Sequence, residues 1–364
     1  MVLRTDDSVW VTGRNDWGQL GDGCETDKND FAMVVFAGDV IAIAAGANHS
    51  MVLKSDGSVW ATGGNDYGQL GDGSTTNRNE FVEVINDATA IAAGTKHSMV
   101  LKEDGSVWAT GCNLHGQLGD GSTNNETEFV HVMSDAIAIA GGNAHSMVLK
   151  RDRSVWVAGC GLHSRLEDGS ASGKSGFIEV LGGAMAIAAG SDHSMVLKCD
   201  GSVWVAGKNN DGQLGDGSTT DSSEFAKVST NVVAIAAGGS HSMVLKEDGS
   251  VWATGGNDHG QLGDGSTTNN DHFVQVCSDV KAIGAGRYHS MVLKKDNIAW
   301  ATGLNSHGQL GDGNGNNRSR YAQVFGTWTP KLTIARAPIY TPNLPPHIMC
   351  TFPAPQTDIA SGLH

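Results

Sequence analysis

Histidine is the first residue type in this chain whose spacing suggests chemistry. His49, His97, His145, His193, His241 and His289 each precede a serine, and each stands 48 residues from the next. Imidazoles bind metals and transfer protons near neutral pH, so such a set could hold an ion or act as a base. Identical surroundings argue against this. A catalytic centre gathers unlike groups at one point, whereas these copies repeat one environment. They read as structural, each bonding backbone at a strand end. The Asp-Gly pairs from Asp22-Gly23 to Asp312-Gly313 could offer oxygens to calcium. That ion takes roughly six to eight oxygens, more than one Asp per loop supplies, so these pairs read as turn chemistry. Cys24, Cys112, Cys160, Cys199, Cys277 and Cys350 form no C-x-x-C pair. Cys112 and Cys160 occupy equivalent places in neighbouring units, and six free thiols are expected. No Ser-His-Asp order with a nucleophile elbow, no H-E-x-x-H and no phosphate-binding loop occurs. The expectation is a non-enzyme without metal or cofactor.

The elements that position these residues are repeated hairpins. In HSMVLKEDGSVWATG, His97 to Gly111, two short apolar runs flank Asp104-Gly105. The pair suits a type I′ turn, and runs without alternation suit strands buried on both faces. A Trp recurs at 10, 60, 108, 156, 204, 252 and 300. Seven units of 48 to 50 residues, rich in glycine and without helical periodicity, indicate an all-β repeat architecture. Each unit reads as an AIAAG strand, the hairpin and an FVEV-like strand, about four strands in all. Such sheets arranged around an axis are propeller blades.

Two units depart from the pattern. Met1-Val2-Leu3-Arg4 aligns with Met51-Val52-Leu53-Lys54, so the first unit lacks its leading strand. The fourth reads GLHSRLEDGSA where others read NxxGQLGDGST, and its hairpin turn is Asp152-Arg153, poorly suited to positive φ. A locally looser blade is expected there. All seven prolines lie between Pro330 and Pro355. Residues 1–328 are therefore read as the repeat domain and 329–364 as a Pro-rich tail, extended or disordered. Leu332-Thr333-Ile334-Ala335 could pair with the incomplete blade. Pro342 and Pro345 form one weak P-x-x-P.

Lys and Arg total 24 against 39 Asp and Glu, a formal charge of −15. That repels phosphate backbones and anionic lipid, so neither nucleic acid nor membrane is an expected partner. The opening residues do not read as a signal peptide. A monomer is expected, in the cytoplasm, with the nucleus as a second location.

The units AGTKHSMVLKEDGSVWATGCNLHGQLGDGS and AGGSHSMVLKEDGSVWATGGNDHGQLGDGS resemble the regulator-of-chromosome-condensation repeat, through GxxHS, DGxVWxxG and NxxGQLGxG. The resemblance spans about 320 residues and implies a seven-bladed β-propeller. A fold does not fix a function. The founding member exchanges nucleotide on the small GTPase Ran, using a wedge-like insertion and a DNA-binding basic tail; neither feature is recognisable here. The plant UV-B photoreceptor of this fold carries repeated GWRHT motifs, and the matching positions here lack the Trp.

Residues that differ between units are the ones able to recognise a partner. Strand parity sends the GxxHS and NxxGQLGDG loops to one face and the Asp-Gly turns to the other. The first face gathers Trp17, Tyr67, Arg287 and Tyr288, residue types that dominate binding hot spots. Lys96, Asp192, His115, His163, His259 and His307 share it, with Asp66, Asp211 and Asp258. The expected function is a protein-interaction scaffold that binds through this face. The alternative is a guanine-nucleotide exchange factor for a Ran-like small GTPase, and a third reading is a pocket for a ligand or metal on the central face.

Overall fold

A computed structural model describes residues 1–4, 6–36, 38–160 and 173–324. Among the described residues seven antiparallel sheets follow one another along the chain, six of four strands and a first of three. Each full blade is a meander with its strands in sequence order. In the third blade these are Ala88–Ala93, His97–Lys102, Val107–Gly111 and Glu126–Met133. The inner strands are Val40–Ala45, Ala88–Ala93, Ala136–Gly141, Ala184–Ala189, Val232–Ala237 and Val280–Ala285. Their alanines and glycines line a central cavity of about 210 Å³. Small side chains are needed there because the inner strands converge. The first blade has Val2–Leu3, Val9–Gly13 and Lys28–Val34.

The core lies between blades. Met99, Leu101, Val107 and Ala109 of the third blade pack with Ala136, Ile139 and Val148 of the fourth. The second strands are buried on both faces, as their continuous apolar pattern requires. Burying such side chains contributes about 25 cal/mol per Å² of apolar surface removed from water, and each blade depends on its neighbours for that shelter.

The hairpin turns differ from the expected type I′. That turn needs positive φ at both central residues, yet Gly105 is at +82° and Asp104 has no positive φ. The Gly105 N–H donates to the Lys102 carbonyl, and the Lys102 N–H to the Ser106 carbonyl. This is a type I turn closed by a left-handed residue, the three-residue hairpin with a G1 bulge. Asp104 instead accepts the Ser106 amide at 2.8 Å. Ser106 accepts the indole N–H of Trp108 at 3.0 Å, and the Lys102 ammonium lies 5.0 Å from that indole.

Arg153 occupies the left-handed position of the fourth hairpin, with φ +73°. A side chain there costs about 1–2 kcal/mol. Arg153→Gly is therefore expected to stabilise the chain by about 1 kcal/mol after the entropic cost of glycine. The check is a higher urea midpoint at unchanged m-value. The strands of this blade pair like the others, and its altered loop, 161–172, lies outside the described residues.

Candidate interaction face

The loops joining third to outer strands are built around one buried asparagine. Asn65 Nδ2 donates to Asp72 Oδ1 at 3.0 Å, the Ser74 carbonyl at 3.0 Å and the Thr76 carbonyl at 3.2 Å. Its Oδ1 accepts the Leu70 amide at 2.9 Å. Asn15, Asn113, Asn209, Asn257 and Asn305 repeat the Leu and Asp contacts, and all six are fully buried. Gln69 Oε1 accepts the Tyr67 amide. The Asp-Gly pairs are thus turn chemistry, with the Asp also holding the Asn. In each loop the two residues after the Asn project outward, and those are the positions that vary.

Glycine is required where neighbouring blades meet. A Cβ on Gly71, at φ +76°, would lie 2.4 Å from the Phe129 ring of the next blade. Phe177 and Phe273 press on Gly119 and Gly215 in the same way, and Phe31 on Gly311 across the closing seam.

The histidines have a partner other than the expected backbone group. His49 Nε2 lies 3.0 Å from Ser98 Oγ of the next blade, and His97 and Ser146 repeat this at 2.9 Å. His145, His193 and His241 meet Ser194, Ser242 and Ser290. Ser98 Oγ donates its one proton to the Gln69 carbonyl at 2.6 Å. It must therefore accept from His49, which fixes an Nε2–H tautomer. The bond joins neighbouring blades, where the sequence led to the expectation of a backbone partner at a strand end. Burial pushes the imidazoles of His49 and His241 down to about 3 and those of His97 and His193 to about 4. They are neutral at pH 7 and held as donors.

Backbone bonds confirm that both variable loops share one end of the blade. The amides of Gly64, Cys112, Lys208 and Leu304 donate to the carbonyls of Asn48, Lys96, Asp192 and Tyr288. The Asp-Gly turns lie at the other end, where Gly57 accepts the Ala88 amide. At the seams the candidate residues meet in pairs. Lys96 Nζ lies 3.1 Å from Tyr67 Oη and 4.4 Å from its ring centroid. His259 meets Tyr288 edge-on at 5.2 Å, with the Arg287 guanidinium 5.0 Å from the same tyrosine. Within the fifth blade, Lys208 and Asp192 are 3.9 Å apart. His307 Nδ1 lies 2.7 Å from Asp27 Oδ2, bridging the seventh and first blades. Trp17 is half-buried, and its amide is held by Gln19. His115 is exposed. His163 lies outside the described residues. Two clusters thus form, Tyr67 with Lys96 and His259 with Tyr288 and Arg287.

A family model described as the regulator of chromosome condensation (RCC1) repeat matches residues 6–53, 56–101, 104–149, 200–245 and 248–293. This chain belongs to the RCC1 repeat family. A second RCC1-repeat model matches 40–69, 88–117, 186–213, 232–261 and 280–309. Both leave the altered loop of the fourth unit unmatched. Among solved structures, Prp20p from Saccharomyces cerevisiae is similar at 21% identity and TM-score 0.81, over 90% of this chain and 88% of that one. Its structure is described with its binding properties to Gsp1p and histones, and another shows yeast RCC1 (Prp20) bound by Kap60. Human WBSCR16 is similar at 20% identity and TM-score 0.80, over 88% and 94% of the two chains. These likenesses establish the RCC1 propeller fold. Comparison with curated proteins gave no match.

The Asn hubs and the seam pairs were missed by sequence reasoning. The hub left a signal: Asn stands seven residues before the Asp of six Asp-Gly pairs, and Gly161 replaces it in the fourth unit.

Proposed function

We propose that this RCC1-type propeller is a protein-binding scaffold and that its partner docks on the face bearing the GxxH and NxxGQLG loops. The observation that carries this is the contrast within each loop. One rigid hub, copied around the ring, holds two outward residues whose identity changes from blade to blade. A fixed frame with unlike tips suits recognition by a rigid surface. Tyr67 with Lys96, and Tyr288 with Arg287 and His259, are its anchors, because aromatic and Arg side chains bury large area at low entropic cost. Trp17 belongs to the same reading. Protein binding is in keeping with the relatives of this fold whose structures are described with protein partners.

Replacing Trp17, Tyr67 and Tyr288 together by alanine is expected to weaken partner capture at least tenfold while leaving the thermal midpoint within a few degrees. Replacing Asp56, Asp104 and Asp248 on the hairpin face is expected to leave capture intact. Undiminished capture by the first variant overturns the assignment. Nucleotide exchange on a small GTPase is the second reading, favoured by the likeness to a propeller described with Gsp1p binding. Labelled-GDP release from a panel of small GTPases separates the two, and a scaffold leaves the release rate unchanged.

A further inference from the structure

Cations at the loop end of the blades are commonly held by a carboxylate. Arg78 meets Asp72 at 2.7 Å, Arg14 meets Asp16 at 2.6 Å and Lys208 meets Asp192 at 3.9 Å. Lys96 and Arg287 differ. Among the described residues neither has a carboxylate within ion-pair distance, although Asp and Glu outnumber Lys and Arg by 39 to 24. Each lies against a tyrosine instead. An ammonium can only donate, so Lys96 Nζ, 3.1 Å from Tyr67 Oη, gives a proton to the phenol oxygen. The proton of the phenol itself then points away from Lys96, and among the described residues nothing accepts it. A phenol that accepts from a cation is a stronger donor in turn. Arg287 is exposed, with its guanidinium 5.0 Å from the Tyr288 ring centroid, which leaves its planar fork of donors facing outward. The frames are fixed: Gln69 holds the Tyr67 amide and Gln261 holds that of His259, the neighbour of Tyr288.

We propose that the partner presents acidic side chains to this face, one Asp or Glu carboxylate seated on Lys96 and Tyr67 and a second on the Arg287 fork. This rests on the reading of the face as the docking surface and adds the chemistry of what docks. A carboxylate has two oxygens, so it takes the Tyr67 O–H and a Lys96 N–H together. Guanidinium binds a carboxylate through two parallel N–H bonds. The two clusters stand at the seams of the second with the third blade and of the sixth with the seventh. A ligand that touches both is therefore a macromolecule. The neighbouring charges favour carboxylate over phosphate. Exposed Asp66 precedes Tyr67, and exposed Asp258 precedes His259. A phosphate group, with a charge of about −1.5 to −2, meets more repulsion from them than a carboxylate does. These two aspartates do not make the site a basic partner's. They stand in water, where salt screens them, whereas Lys96 is half-buried at the seam and its attraction counts for more. Their repulsion raises selectivity by rejecting a partner whose carboxylates miss the two cations.

The test measures how charge variants of the full chain bind the protein that the intact chain captures. Lys96→Gln and Arg287→Gln are each expected to weaken binding about tenfold, and Lys96→Arg to keep most of it. Tyr67→Phe retains the ring and loses only the O–H, and is expected to weaken binding about fivefold. Asp66→Asn and Asp258→Asn are each expected to tighten it about twofold. The thermal midpoint is expected to stay level throughout, because all five side chains lie outside the core. A poly-glutamate peptide is expected to compete with the captured protein and a poly-lysine peptide is not. Weaker binding by the two Asp variants, with the cation variants unchanged, overturns the proposal in favour of a basic partner and leaves the docking face standing. Unchanged binding by every variant overturns the proposal and the docking face together. Competition by a phosphoserine peptide, at concentrations where poly-glutamate has no effect, overturns it in favour of a phosphorylated partner.

Discussion

Below pH 6.5 the ring is expected to lose stability steeply. His49, His97, His193 and His241 are buried and neutral, with proton affinities pushed down to about 3 or 4. In the unfolded chain each would titrate near 6.5. The unfolded state therefore binds more protons between those limits. A base depressed in the folded state gives its full stabilisation above the unfolded value and loses it as pH falls toward the folded value. Four such groups give a slope of up to about 5 kcal/mol per pH unit around pH 5, enough to unfold a domain of ordinary stability. Thermal midpoints should be level from pH 8 to 7 and fall sharply from 6.5 to 4.5. His97→Gln, which keeps an N–H toward Ser146, should remove about one proton's share of that slope. A midpoint constant down to pH 4.5 would show that these imidazoles titrate freely.

Asn65→Ala is expected to destabilise the second blade by about 3 kcal/mol and to weaken partner binding with it. The side chain satisfies the Leu70 amide, the Asp72 carboxylate and two carbonyls in a fully buried place. Truncation leaves those groups unpaired, and each unsatisfied buried group costs about 1–3 kcal/mol. Water entering the space would offset part of this. The stability loss is read from urea unfolding. The functional consequence follows from position: Tyr67 stands two residues on, held by the same loop. Tyr67→Ala removes the contact but not the frame, so it should weaken binding without shifting the urea midpoint. Equal midpoints for the two variants would contradict the hub.

The repeat, the number of blades and the two faces were legible because a propeller blade is a local object. Its hairpins and turns are encoded within some 48 residues and written seven times. Turn type was less legible, since Asp-Gly serves both a type I′ turn and a type I turn with a bulge; the positive φ at Gly105 alone decides. Seams were not legible at all. His307 meets Asp27 across 280 residues, and Ser98 receives His49 from the blade before. Such contacts follow from the angle at which blades pack, which no single unit encodes. Trp17, Tyr67 and Tyr288 were singled out as candidates by asking which positions break the repeat. Pairing Tyr67 with Lys96 required the ring.

The central claim is that recognition uses the unlike loop tips and that the hairpin face takes no part in it. Hydrogen exchange of the chain alone and with its captured partner tests this most directly. Slower exchange is predicted in the loops at 15–18, 65–68, 95–97 and 287–289, with the turns at 55–58, 103–106 and 247–250 unchanged. Slowing confined to those turns, with the loops unaffected, would contradict it.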